Sequence, residues 1–216
     1  GRRMEEGVMQ TNTTKAKLAE GQTVYGAIIS RFAPDLVEIF GAIGYDFVMI
    51  DCEHGPMDLE QVEHMVRAAE VFGITPIARI PNHSDSTILR FLDRGVQGII
   101  VPHVNTKLEA LAVCKAARYH PDGARGVGGG RAHDYGVSAT REESTGWINS
   151  QILVIPMVED TAAVSNLDAI MSVPGVDVLH VASGDLGQSL GNPGREEVRR
   201  VMREVIPRIR TGGKVA

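Results

Sequence analysis

The sequence lacks the features that mark secreted and membrane-spanning proteins. Its 216 residues include two cysteines, Cys52 and Cys114, whose positions show no disulfide framework and favour a reducing compartment. No run of about 18 apolar residues is present, so we expect no membrane span. Residues 1–22 are polar and have no apolar core, which argues against a signal peptide. These absences predict a cytoplasmic protein.

Basic residues are fewer than acidic ones, with 22 Lys and Arg against 27 Asp and Glu. The formal net charge of −5 leaves no basic surplus for phosphate contacts, which argues against a nucleic-acid partner. Lysine occurs only at positions 15, 17, 107, 115 and 214, and none of these ends a predicted strand, where an imine-forming amine would be needed. The distribution of lysine therefore favours metal-assisted chemistry over imine chemistry.

What the chain does contain is a regular alternation of apolar segments and amphipathic helices, in units of about 25 residues. With 43% hydrophobic residues, the chain can bury one large core. This rhythm predicts an α/β protein with a parallel sheet, either an open doubly wound sheet or a closed (β/α)8 barrel. The strands are predicted at 23–29, 47–51, 75–80, 98–101, 152–158 and 176–181, with 214–216 as the start of a seventh.

Polar residues that can carry chemistry follow nearly every predicted strand. An open sheet would concentrate such groups at one switch point, whereas a barrel collects all strand ends around one mouth. We therefore favour a (β/α)8 TIM barrel over residues 23–216, incomplete at its C-terminus, behind a polar extension with a short helix at residues 1–22. The groups concerned are His54, Arg79, His103, Glu159 and Asp185.

Three kinds of group among these suggest a reaction. Glu159 and Asp185 each follow an apolar strand, and two carboxylates at one mouth suit Mg²⁺ or Mn²⁺; the alternative is that each caps a helix or turn. Arg79 interrupts an apolar strand, so it either pairs with a carboxylate such as Asp51 or binds an anionic substrate. His54 can act as a general base because imidazole titrates near neutral pH, although it can also simply cap a turn.

Six short motifs stand in a characteristic order and spacing. They are IDCEHGPMD at 50–58, ARIP at 78–81, LDRG at 92–95, RGVG at 125–128, VE at 158–159 and GDL at 184–186. Together they resemble the HpcH/HpaI aldolase family, the metal-dependent pyruvate aldolases typified by 4-hydroxy-2-oxoheptanedioate aldolase. The resemblance covers the chain from residue 12 to residue 216.

The resemblance implies a carbon–carbon lyase that cleaves a 4-hydroxy-2-oxo acid, such as 4-hydroxy-2-oxoheptanedioate, into pyruvate and an aldehyde. It implies that Glu159 and Asp185 bind a divalent cation, Mg²⁺, Mn²⁺ or Co²⁺, and that the substrate is a small 2-oxo acid. It also implies a barrel that assembles as a homohexamer of domain-swapped dimers. Another metal-enolate lyase on the same barrel, such as an oxaloacetate decarboxylase or an acyl-CoA lyase, is the main alternative. A non-catalytic barrel that binds a small anion or serves as an assembly subunit is disfavoured, because it leaves the candidate site residues unexplained together.

The resemblance also assigns roles around the bond that breaks. It implies that His54 is the acid/base residue, supported by Asp93 and with Asp51 nearby. Arg79 matches the arginine that stabilises the pyruvate oxyanion, and the backbone amide of Gly184 matches the one that holds the pyruvate carboxylate.

The sequence departs from the family pattern at three places. Met157 stands where well-known members have glutamine, Ala182 and Ser183 replace a glycine and a proline, and 128–131 reads GGGR in place of a GSAL-type loop. These changes are compatible with the pyruvate chemistry and leave the aldehyde half of the substrate open. Our candidate substrate contacts are Gly129, Met157, Ser183, Gly184 and Asp185.

Overall fold

The computed structural model describes residues 11–137 and 139–216, so residues 1–10 of the predicted N-terminal extension lie outside the described residues. Within these ranges the chain alternates between strands and helices. The strands are β1 (Gly26–Ile29), β2 (Phe47–Asp51), β3 (Thr75–Arg79), β4 (Gly98–Val101), β5 (Leu153–Val158) and β6 (His180–Val181). The α-helices are α1 (Thr13–Ala19), α2 (Pro34–Ala42), α3 (Leu59–Phe72), α4 (Asp85–Leu92), α5 (Lys107–Ala117), α6 (Arg141–Gln151), α7 (Thr161–Ser165), α8 (Leu167–Met171), α9 (Ser183–Ser189) and α10 (Arg195–Thr211).

The six described strands form one parallel sheet in chain order, from β1 to β6. Each strand is followed by one or more helices, which is the connection that parallel neighbours require. The sheet curls so that one face is concave, and the predicted parallel α/β class is confirmed. Among the described residues, no helix combines the length and the low charge needed to cross a lipid bilayer.

Alternate residues of each strand face two different apolar layers. Val48 and Ile50 of β2 belong to the large cluster between sheet and helices, whereas Met49 belongs to a second cluster on the concave face. Successive side chains of a strand point to opposite faces, so the inner residues of β2 are those with odd numbers. The same parity places Ile77 of β3 and Met157 of β5 in the inner cluster.

Local sequence signals explain where two of the longer helices begin. Asp58 and Gln61 form a capping box that starts α3, since each side chain accepts a hydrogen bond from the other residue's backbone amide. Thr106 and Glu109 do the same for α5. The sequence predicts a kink at Pro207, because proline lacks the backbone N–H that a helix needs. Helix α10 continues through Pro207 to Thr211.

The predicted N-terminal helix is present as α1 and is anchored at the amino ends of the strands. Asn12 is 1% exposed, and its side-chain amide donates to the carbonyls of Gln97 and Gln151 at 3.0 and 2.8 Å. The ammonium of Lys15 donates to the carbonyl of Ile152 at 2.7 Å, just before β5. This lysine therefore lies at the opposite end of the sheet from the groups that follow the strands.

The sixth strand is shorter than predicted, because Asp177 interrupts its pairing with β5. The Asp177 carboxylate accepts the amide of Val154 at 2.8 Å, while the Asp177 amide donates to the Val154 carbonyl. Beyond this point Val178 forms a parallel bridge with Val215. The predicted pairing of residues 214–216 beside the sixth strand is thus present as a single bridge.

Candidate active site

The inner rows of three strands change from apolar to charged at their carboxyl ends. In each of these strands an ionisable residue follows two positions after an inner apolar residue. Residues two positions apart in a strand face the same side of the sheet, so all three ionisable groups lie on the concave side. The pairs are Met49 and Asp51 on β2, Ile77 and Arg79 on β3, and Met157 and Glu159 on and just after β5.

The Arg79 guanidinium is held between two carboxylates. Its Nε and Nη2 donate to the two oxygens of Asp51 at 2.9 and 2.7 Å, and its Nε lies 3.4 Å from Oε2 of Glu53. The side chains of Asp51 and Arg79 are 3% and 13% exposed. A bidentate pair of this kind fixes the plane of the guanidinium, so one edge stays available at the mouth.

Asp51 is ionised because its surroundings favour the charged form. Burial by itself raises the pKa of Asp51, but hydrogen bonds from Arg79 and from the backbone amides of His54 and Glu53, together with the charge of Arg79, bring it below its ordinary value. The hydrogen bonds to Asp51 likewise raise the pKa of Arg79. Of the two alternatives that the sequence leaves open for Arg79, pairing with Asp51 is confirmed.

A second group of polar side chains surrounds Glu159. The backbone amide of His103 donates to Oε1 of Glu159 at 2.8 Å, and the His103 ring nitrogen Nδ1 lies 3.4 Å from the same oxygen. Glu53, His103 and Glu159 each offer one ligand atom, and these three atoms lie within 4.8 Å of one another. Glu159 is 2% exposed, so its carboxylate lies at the base of this group.

The residues present fit a hard divalent cation. Burial raises the pKa of Glu159, the hydrogen bond and charge of His103 oppose this rise, and the negative charges of Glu53 and Asp185 add to it. Oε2 of Glu53 is buried and accepts no hydrogen bond from the described residues. A divalent cation that takes oxygen ligands would stabilise these converging carboxylates and would supply a partner for Oε2 of Glu53.

His54 lies at the rim of this mouth. Its backbone amide donates to Asp51 at 3.2 Å, while its ring is 61% exposed and Nε2 lies 3.9 Å from Oε2 of Glu53. The following glycine, Gly55, lets the loop pass so close to β2 that a Cβ there would lie 2.1 Å from the carbonyl oxygen of Asp51. The turn therefore presents the imidazole to solvent beside the Arg79 pair.

Asp93 belongs to a neighbouring group rather than to the His54 turn. Its carboxylate accepts from Nη2 of Arg125 at 2.8 Å, and the Arg125 guanidinium stacks 4.5 Å from the ring centroid of Tyr119. In the described part of the chain no hydrogen bond or ion pair joins Asp93 to His54. The glycine-rich loop, residues 125–132, runs beside Asp93, since a Cβ on Gly128 would lie 3.6 Å from Oδ2 of Asp93.

The remaining predicted site residues lie on β5, on α9 and in the loop beside Asp93. Met157 is fully buried in the inner row of β5, two residues before Glu159. Ser183, Gly184 and Asp185 form the first turn of α9, directly after β6, where backbone amides have no acceptor within the helix. Gly129 is exposed in the loop beside Asp93, and a side chain there would meet no atom within 4 Å.

Two residues of the mouth are given no role by the sequence reasoning. Glu53 lies in the motif after β2 at inner-row parity, two residues after Asp51, and that parity is the signal that could have found it. His103 follows β4 as a polar residue, which marks it as a candidate without a partner. Only the structure shows that both approach Glu159.

A cavity of about 770 Å³ also lies against the concave face, below this polar mouth. Its walls are mainly the apolar inner rows, and of the candidate catalytic residues none contributes to it. The candidate catalytic residues therefore lie at the polar mouth and not in this apolar cavity. Examples of the lining residues are Met49, Ile77, Ile155 and Val178.

Comparison with known proteins adds to this geometry. Residues 26–216 match the family model described as HpcH/HpaI aldolase/citrate lyase. The chain is 37% identical over 217 residues to a protein of Novosphingobium aromaticivorans named 4-hydroxy-2-oxovalerate aldolase, covering 96% of this chain and 80% of that protein. It is 35% identical over 211 residues to the 2-keto-3-deoxy-L-rhamnonate aldolase of Shigella sonnei (strain Ss046), covering 95% and 78% of the two chains. Among solved structures, an HpcH/HpaI aldolase/citrate lyase family protein of Burkholderia cenocepacia J2315 superposes with a TM-score of 0.87 at 31% identity, covering 94% of this chain and 82% of that one.

Proposed function

Since the chain belongs to the HpcH/HpaI aldolase/citrate lyase family and is a carbon–carbon lyase, we propose that it is a metal-dependent aldolase that releases pyruvate from a 4-hydroxy-2-oxo acid. The observation that carries this proposal is the position of the Arg79 guanidinium. It lies beside Glu53, and the negative charge of Glu159 contributes to its raised pKa. A cation site and a fixed guanidinium next to each other suit a substrate in which negative charge develops on an oxygen.

In this mechanism the protein moves a proton and stabilises a charge. His54 accepts the proton of the 4-hydroxyl group, directly or through a water molecule, while the C3–C4 bond breaks. The electron pair of that bond moves toward the 2-oxo oxygen, where Arg79 stabilises the developing negative charge. Asp51 keeps Arg79 oriented through two hydrogen bonds, and the proton that His54 holds is later returned to carbon to give pyruvate.

Glu159 and Asp185 are the residues that we propose to hold the divalent cation, with Glu53 and His103 beside Glu159. When bound, such a cation supplies Lewis-acid stabilisation to the 2-oxo acid. We propose that the backbone amide of Gly184 receives the carboxylate of that acid, and its position in the first turn of α9 supports this.

The aldehyde half of the substrate is proposed to lie away from Glu159, toward the less regular parts of the mouth. Ser183 and Gly129 are our candidate contacts for this half, and Asp93 lies beside the neighbouring Gly128. Met157 precedes Glu159 by two residues in the inner row of β5, so we propose that it contacts the part of the substrate nearest the cation. The relatives support more than one aldehyde, since one is named for 4-hydroxy-2-oxovalerate and another for 2-keto-3-deoxy-L-rhamnonate. A short 4-hydroxy-2-oxo acid is therefore the first substrate class to test.

We also propose that the curled sheet is part of a complete (β/α)8 barrel. The parallel bridge from Val178 to Val215 supports a further strand beside β6. The homohexamer of domain-swapped dimers and the cytoplasmic location stay predictions, and light scattering of the purified protein would measure the first.

The proposed reaction is tested by pyruvate release from 4-hydroxy-2-oxo acids, coupled to lactate dehydrogenase. The protein is assayed after EDTA treatment and again with Mg²⁺, Mn²⁺ or Co²⁺ restored. A Glu159→Gln variant should lose at least about 100-fold in turnover. Glu196→Gln is the matched control, because the Glu196 side chain is 78% exposed on α10.

The outcomes of this assay separate the proposed reaction from its alternatives. Turnover that needs both metal and Glu159 supports the proposal. Turnover that survives EDTA treatment would contradict the metal requirement. Decarboxylation of oxaloacetate without cleavage of any 4-hydroxy-2-oxo acid would move the protein to another lyase reaction of the same family.

A further inference from the structure

We propose that His103 is a ligand of the bound cation through its ring nitrogen, so that the site prefers Co²⁺ or Mn²⁺ to Mg²⁺. This inference rests on the proposed function, because it takes Glu159 as a metal ligand. It adds a nitrogen donor from the loop after β4 to a set that otherwise consists of carboxylates.

The backbone of His103 brings two of its groups to one carboxylate. The residue has a φ of +55°, in the left-handed region that residues other than glycine adopt infrequently. In this conformation its amide donates to Oε1 of Glu159 at 2.8 Å, and its Nδ1 lies 3.4 Å from that oxygen. Uncommon backbone conformations of this kind concentrate at functional sites.

The distances suit two ligands of one cation. Ligand atoms in adjacent positions, each about 2.1 Å from the ion, are about 3 Å apart. The 3.4 Å between Nδ1 of His103 and Oε1 of Glu159 is near this value. Glu53 completes a group in which all three ligand atoms lie within 4.8 Å of one another. A small movement of the exposed ring would bring Nδ1 to the ligand position.

The imidazole is not engaged elsewhere. Its side chain is 64% exposed, and within residues 11–137 and 139–216 its ring makes no hydrogen bond, only the long contacts to Glu159 and to Asp160 at 3.4 and 3.8 Å. Because the His103 ring is exposed at the mouth with Nδ1 facing the buried Glu159 carboxylate, it can bind a cation without breaking a hydrogen bond of the fold.

A nitrogen ligand changes which metals the site takes. Mg²⁺ prefers oxygen ligands and keeps several of its waters. The affinity for an imidazole ligand is highest for Co²⁺, lower for Mn²⁺ and lowest for Mg²⁺. We therefore expect His103→Gln to lower Co²⁺ affinity about 10-fold or more, and Mg²⁺ affinity less than about threefold.

The decisive measurement is electron spin echo envelope modulation of the Mn²⁺-loaded protein, which detects a directly bound nitrogen. Wild type should show nitrogen modulation, and His103→Gln should lose it while still binding Mn²⁺. Two histidine controls assign the signal. His83→Gln removes an exposed imidazole after β3 outside the Glu159 group, and His54→Gln removes the other imidazole near Glu53. Both should keep the modulation.

The outcomes separate this inference from the proposed function. Mn²⁺ that binds in a Glu159-dependent way without nitrogen modulation would overturn the role of His103 and leave the aldolase proposal standing. Modulation that disappears in His54→Gln but persists in His103→Gln would overturn it as well. Mn²⁺ binding that is unaffected by Glu159→Gln would overturn both. Calorimetric titration with Co²⁺ and Mg²⁺ gives the second readout, and equal loss for the two ions would contradict the predicted preference.

Discussion

Replacing Asp51 by asparagine tests the pair on which the mouth is built. Oδ1 of Asp51 accepts from Arg79 Nε and from the amides of Glu53 and His54, and Oδ2 accepts from Arg79 Nη2 and the Ser30 hydroxyl. Asparagine can keep the first set of bonds with its carbonyl oxygen. Its NH₂ group then faces Nη2 of Arg79, donor against donor, and the negative charge is lost.

The size of the effect follows from burial. Breaking a buried ion pair by removing one partner costs about 3–5 kcal/mol. Glu53 still lies 3.4 Å from Arg79 and compensates part of its charge, so we expect the lower end, about 3 kcal/mol of unfolding free energy at pH 7. The matched control is Asp168→Asn, which breaks an ion pair to Arg208 whose partners are 79% and 45% exposed and should cost less than about 1 kcal/mol.

The pH dependence gives this prediction a second arm. The pKa of Asp51 is lowered in the folded protein, so its contribution is fully present above the unfolded value of about 3.9 and is lost as pH falls toward the folded value. The difference between wild type and Asp51→Asn should therefore be largest at pH 7 and shrink below about pH 4. Urea unfolding followed by circular dichroism, at fixed protein concentration, measures both. A loss at pH 7 no greater than that of Asp168→Asn, or a difference that stays constant down to pH 3.5, would refute the reasoning.

Two further predictions concern the same strand ends. Arg79→Lys keeps the charge but cannot form the two parallel bonds to Asp51, so we expect kcat to fall about 100-fold or more with an unchanged circular dichroism spectrum; a loss of less than tenfold would contradict the assigned role. Burial, with a smaller contribution from the charge of Asp51, raises the pKa of the Cys52 thiol to about 12, so Cys52 should not react with a disulfide reagent at pH 8 until the protein is unfolded, and rapid modification of the native protein would show that the thiol is accessible.

Residues close together in the chain determined the parts of the fold that sequence reasoning could reach. The capping boxes at Asp58 and Thr106 depend on bonds across three residues, and the strands depend on short apolar runs. The family resemblance likewise rests on short motifs, and it located the Arg79 and Glu159 positions. Residues 128–131 and the two-residue β6 were harder to predict, because no local periodicity marks them.

Only the tertiary structure decided which of the candidate groups meet. Glu53, His103 and Glu159 follow three different strands, and it is the register and parity of those strands that bring them within 4.8 Å of one another. The same packing places Asp93 in a hydrogen bond with Arg125 and not in contact with the His54 turn. Sequence by itself determined which residues can carry charge at the strand ends. Their partners depend on distances between segments far apart in the chain, which no local pattern encodes.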